Sequence, residues 1–158
     1  MKLSPMLKQG ISKTFLIILL LISVIGFADA TYLTAKHYLG DSVTCSILKG
    51  CETVTGSKYS TVYGVPIALF GVFYYLFVSV LLFLYMEGVR GVLKFLVLST
   101  TTGFFVTLGL IYIQAFILEA FCLFCLISAL SSTALFVGVL YVLKLNKRSV
   151  KRLMPNAK

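Results

Sequence analysis

Four apolar runs divide the chain, roughly 14–35, 65–86, 93–118 and 121–143, and each carries few charged residues. Each is close to the ~20 residues an α-helix needs to cross ~30 Å of hydrocarbon. Backbone groups in lipid must pair within their own segment, and runs this continuous do not suit the alternating ~10-residue strands of a membrane barrel. The pattern predicts an all-α integral membrane protein, a bundle of four transmembrane helices. Between the first two runs, Lys36 to Val65 is the only extended polar segment, rich in Gly, Ser and Thr. At about 29 residues it exceeds the usual structureless connection, which suggests a capping loop over 36–64 that includes a short helix on the membrane surface. Only Glu119 and Ala120 offer a turn between the third and fourth runs. No internal repeat is visible.

Composition agrees: 59% hydrophobic and 12% charged residues cannot give 158 residues a polar surface. The net charge of +9 could suggest nucleic acid, but its distribution excludes that partner. Lys2, Lys8 and Lys13 precede helix one, Arg90 and Lys94 join helices two and three, and Lys144, Lys147, Arg148, Lys151, Arg152 and Lys158 follow helix four. Eleven of the fourteen cations thus share one side. The positive-inside rule then puts a cytoplasmic N-terminus at 1–13, the membrane domain at 14–143 and a basic cytoplasmic tail at 144–158 of a multi-pass cell-membrane protein. The start of the chain also imitates a cleavable signal peptide, with Ala28-Asp29-Ala30 as the processing site. Apolar character continuing through Tyr32 and Leu33 favours a retained helix.

This topology turns all four cysteines outward, where disulfides persist. Cys45 and Cys51 close a short polar stretch in the loop, and Cys122-Leu123-Phe124-Cys125 opens helix four. Residues three apart on a helix lie within the range a disulfide requires, so Cys122 and Cys125 can close on each other. Free amides and the dipole at the helix N-terminus favour a thiolate there, and Glu119 opposes it if ionised. The loop pair, with Gly50 beside Cys51, reads as flexible, exposed and labile. It can meet a partner's dithiol and pass electrons inward through a mixed Cys51–Cys122 bond. Four cysteines allow three pairings, and a relay must visit at least two. Two inert staples are the plain alternative. No metal is expected, since the spacing is wrong for zinc and the sole histidine, His37, reads as an interfacial loop residue. A CxxC at a membrane boundary has access to lipid-soluble quinones, which a staple does not need.

At this point the chain resembles the vitamin K epoxide reductase homologues of the compact microbial kind. The resemblance rests on Tyr32-Leu33-Thr34, Cys51-Glu52-Thr53-Val54, Tyr59-Ser60-Thr61-Val62-Tyr63-Gly64-Val65-Pro66 and the CxxC, and it spans roughly 15–143. It implies a four-helix bundle around a quinone, of ubiquinone, menaquinone or vitamin K type, capped by the outer loop. It implies further that Cys125 faces and attacks the quinone, that Cys122 exchanges with Cys51, and that Cys45 exchanges with a thioredoxin-like extracytoplasmic partner. Ser57 matches the serine or threonine that members place near the quinone. Animal members carry an asparagine on helix two and a tyrosine after the CxxC, where Ile67 and Ala129 stand here. The proline common between microbial CxxC cysteines is absent.

The resulting expectation is a thiol:quinone oxidoreductase that supports disulfide formation. A vitamin K epoxide or quinone reductase, and a non-catalytic membrane protein with structural disulfides, are the alternatives. The quinone pocket should be apolar with few polar groups. Phe70, Tyr74, Tyr112 and Phe116 are its candidate walls, and Gln114 a polar candidate whose competing role is an interhelical hydrogen bond. Asp29, an acid within helix one, is a possible proton relay, with capping of the outer loop as the other role.

Overall fold

The computed structural model describes residues 12–40, 50–89 and 91–153, with side chains described through Asn146. Its elements are α1 (Lys13–Leu39), the five-residue α2 (Cys51–Thr55), a 3-10 turn at Lys58–Ser60, strands β1 (Thr61–Val62) and β2 (Val65–Pro66), α3 (Ile67–Met86), α4 (Val92–Tyr112), a π turn (Ile113–Ile117) and α5 (Leu123–Leu153). Four stretches are long and apolar enough to cross a membrane: Lys13–Leu39, Ile67–Met86, Val92–Ile117 and Leu123–Asn146. The fold is the four-helix membrane bundle that the hydrophobic pattern predicts.

Both α1 and α4 pack against α3 and α5. The core gathers Leu16, Leu19 and Ala30 of α1, Tyr75, Val78, Leu82 and Tyr85 of α3, Leu93 and Leu96 of α4, and Leu135, Val139 and Val142 of α5. Large apolar residues such as Leu21, Phe73, Phe77 and Phe105 face outward, as they can in lipid. Because lipid tails are as apolar as leucine, helices there associate through close contact and internal polar bonds. Both devices are present. Gly26 lies against the Tyr75 ring, Gly103 against the Tyr74 ring and Gly138 against Leu19, with no room for a Cβ. Ser79 Oγ donates to Ser23 Oγ at 3.0 Å, and Ser23 Oγ donates to the Tyr75 carbonyl at 3.1 Å.

The ends of the helices differ from those expected, each for a local reason. Nothing after Ala35 breaks a helix until Gly40, so α1 runs to Leu39 and stops where Gly40 turns left-handed at φ 69°. His37 is therefore helical. The second span opens at Ile67, because β1 and β2 pair antiparallel around Tyr63-Gly64, both at positive φ. The third run continues past Tyr112 only as the π turn, and α5 continues past 143 to Leu153. Between the π turn and α5, residues 118–122 form the link, with Glu119 at φ 47°.

Candidate active site

Four passes bring the 50–66 segment and the 118–122 link to the same end of the bundle, and there the chain builds one compact assembly. The helix α2 is too short to be stable alone, and it holds by burying Cys51 and Val54 in a cluster with Leu33 and Cys122. Thr55 Oγ1 donates to the Cys51 carbonyl at 2.7 Å and Ser57 Oγ to the Val54 carbonyl at 2.8 Å, which fixes the end of the turn. At its start, Gly50 lies flush on the link: a Cβ there would meet the Phe121 carbonyl oxygen at 2.7 Å and the Phe121 nitrogen at 2.8 Å. This contact explains a departure from the sequence reading. Cys51 is not exposed; it is 1% accessible, and Cys122 beside it is fully buried. Cys45 lies outside the described residues.

Cys122 is the last residue before α5. Its carbonyl accepts the Leu126 N–H at 3.0 Å, the first bond of the helix, so it occupies the N-cap position. Its own N–H donates to Gln114 Oε1 at 3.2 Å. Cys51 is disulfide-bonded, whereas Cys122 and Cys125 are thiols. The Cys125 thiol hydrogen-bonds the Cys122 sulfur, and with the backbone amides of Cys125 and Phe124 it holds the Cys122 thiol down to about 7 against the opposing effects of burial and the Asp29 charge.

Below this cap lies a cavity of 340 Å³ with a wall that is mostly apolar. Cys125 lines it, as do Ser57 from the capping segment, Phe70 and Tyr74 from α3, and Gln114 from the π turn. Ile67 and Ala129 line it too. Tyr112 and Phe116 do not: they stack on each other at 4.9 Å on the outer face, 58% and 71% exposed. Residues two apart on a helix lie roughly 200° apart, so Gln114 cannot share a face with these flanking aromatics. Asp29 is buried in α1, and its Oδ2 has no hydrogen-bond partner among the described residues. It lies within electrostatic reach of both CxxC sulfurs.

Several residues and contacts that the sequence does not assign to the pocket also shape the cavity. His37 lines it from the last turn of α1, a position hidden by reading that stretch as loop. Tyr75 closes it from α3, its hydroxyl donating to the Ser128 carbonyl at 2.7 Å. Tyr74 shares a 3.4 Å bond with Ser132. Hydroxyls placed on apolar helices were the available signal for these.

The arrangement forms a line: a disulfide-bonded cysteine in the cap, a buried thiol of lowered pKa packed with it, and a second thiol on the wall of a cavity within the bundle. Thiol exchange can run along such a line, and its last member faces a space suited to a small apolar molecule. The profile of the vitamin K epoxide reductase family matches residues 17–140 of the chain. No curated protein matches it.

Proposed function

The chain belongs to the vitamin K epoxide reductase family, and from that premise we propose that it oxidises the dithiol of an extracytoplasmic, thioredoxin-like protein and passes the electrons to a quinone. The coarse part of this follows from the family: it is a membrane oxidoreductase of the kind that acts on quinones or vitamin K. The finer part rests chiefly on one observation, that Cys125 lines an apolar cavity while its neighbour Cys122 is buried with Cys51.

In the proposed cycle the partner's thiolate attacks the loop disulfide of Cys45 and Cys51 and releases Cys51. Cys51 then attacks Cys122 of an oxidised CxxC and frees Cys125; the partner's second thiol displaces Cys45 and the partner leaves as its own disulfide, and Cys45 attacks Cys51, which re-forms the loop disulfide and releases Cys122. Closure of the Cys122–Cys125 bond delivers two electrons and two protons to the quinone, whose two carbonyls become hydroxyls. Exchange alone only redistributes disulfides. Since ~30 mV is ~1.4 kcal/mol for a two-electron couple, a quinone well above the dithiol's potential drives net oxidation. Orientation with both termini in the cytoplasm and the cysteines outside is part of the proposal, supported by the distribution of basic residues.

The cavity size falls within the ~300–1,000 Å³ of small-molecule sites. Its wall favours a quinone over an epoxide, because the two positions at which animal relatives carry asparagine and tyrosine are the apolar Ile67 and Ala129. The test is to reduce the purified protein, supply a thioredoxin-like dithiol protein with ubiquinone or menaquinone, and follow quinone absorbance beside Cys125→Ala. Quinone loss that vanishes in the variant is the expected result. No loss with either quinone in the folded protein overturns the proposal.

A further inference from the structure

Around the cavity, five hydroxyl protons are already committed to protein carbonyls. Ser57 donates to Val54, Ser60 to Ser57, Thr55 to Cys51, Thr102 to Leu98 and Tyr75 to Ser128. Ser132 shares its bond with Tyr74. Gln114 is different. It is 4% exposed, and what surface it has lies on the cavity wall. Its amide orientation is fixed by chemistry: only oxygen can accept the Cys122 N–H, so Oε1 points at the link and the NH₂ points away from it. Among the described residues that NH₂ has no acceptor. An amide with two strong donors, held in an apolar wall beside Cys125, lacks the partner such a group ordinarily has.

The backbone holds this residue firmly. Gln114 lies in the π turn, where the ladder is widened by one residue, and its carbonyl accepts the Ala120 N–H at 3.2 Å while its side chain accepts that of Cys122. A single residue therefore ties the middle and the far end of the link that sets the CxxC in place. Widened turns of this sort recur at functional sites.

We propose that Gln114 joins the two halves of the reaction: its Oε1 positions Cys122 for exchange, and its Nε2 donates a hydrogen bond to a carbonyl oxygen of the quinone, seating the ring against Cys125. The inference rests on the thiol:quinone reading and assigns the polar contact within that site. A donor placed at a ring carbonyl fixes the orientation of the quinone in an otherwise apolar pocket.

Gln114→Glu separates the two roles, because a carboxylate still accepts the Cys122 N–H but cannot donate to a carbonyl until it takes up a proton. With dithiothreitol as reductant and a short-chain ubiquinone as the probe, the KM for quinone in Gln114→Glu should rise about 10-fold at alkaline pH while kcat stays within about threefold. It should return toward the wild-type value as the pH falls, with wild type showing no such trend. Gln114→Leu, which loses both contacts, should raise KM and lower kcat at every pH. If Gln114→Leu does not fold, the wild-type protein is tested instead for preference between the quinone and its hydroquinone dimethyl ether, whose oxygens are weak acceptors. Equal affinity for the two, or a wild-type KM in Gln114→Glu across the pH range, overturns the inference. Quinone reduction that persists in Cys125→Ala sinks the underlying reading instead, so the two failures are distinguishable.

Discussion

A methyl group added at residue 50 should break the relay while leaving both of its ends intact. Gly50 has φ −89° and ψ −4°, a conformation any L-residue adopts, so Gly50→Ala carries no backbone penalty and the contact alone is tested. The new Cβ would lie 2.7 Å and 2.8 Å from the oxygen and nitrogen of Phe121 and 3.2 Å from the Ala120 Cβ. Ordinary contacts begin at about 3.5 Å, so α2 and the link must separate by roughly 0.7 Å. No rotamer change relieves this, because the nearest atoms are backbone. Thiol exchange needs near-attack geometry, and a 1 Å displacement can slow such a step by about 100-fold. The expected loss in steady-state oxidation of an outside dithiol is therefore roughly 10- to 100-fold, with an overpacking cost of about 1–3 kcal/mol in stability. In a single-turnover mix of CxxC-reduced protein with quinone, which skips the Cys51–Cys122 step, the variant should match wild type. Equal steady-state rates for the variant and wild type would show that Cys51 and Cys122 do not exchange across this contact.

Two further outcomes follow. Asp29→Asn keeps the volume of a buried acid and removes its titration; quinone turnover should fall at least about tenfold with unchanged circular dichroism if Asp29 relays protons, and a normal rate rules that role out. Cys122, outside the Leu123–Asn146 span, has a depressed pKa, so with the CxxC reduced its thiolate absorbance should reach half-maximum near pH 7 and move up toward the ordinary thiol range in Cys125→Ala. Because folding lowers this pKa, the bonds to the thiolate add stability above the ordinary thiol range, and that increment disappears as the pH falls through about 7.

The spans were legible because leucine, isoleucine and phenylalanine in runs of about 20 leave a bilayer as the only solvent that suits them. The CxxC at a helix start was legible for the same reason, since a polar break between apolar runs fixes where α5 begins. What escaped was set by the backbone. A π turn leaves no compositional mark, and Ile113-Gln114-Ala115-Phe116-Ile117 reads like any other stretch of the third run. Counting aromatics alone offered Tyr112 and Phe116 beside Gln114, although helical geometry places them on opposite sides. Cys51 was read as exposed because its neighbours are polar, yet burial depends on how closely Gly50 can approach Phe121, a tertiary contact. His37 escaped because a histidine, a lysine and a tyrosine at a membrane boundary resemble a loop until one asks which residue would end the helix.

The two adjacent tyrosines of α3 work as a caliper. Tyr75 rests on Gly26 of α1 and Tyr74 on Gly103 of α4, the two rings meeting edge to face at 4.9 Å, and both line the cavity. The width available to a guest is thus gauged by phenol rings seated on two flanking helices, at a level distinct from the cysteines and their cap. A methyl group at either glycine would overlap a ring and force it to shift, which changes the space a guest can occupy. Guest preference can drift in this protein through substitutions that carry no chemistry of their own, while the sulfur relay at the outer end is left as it was.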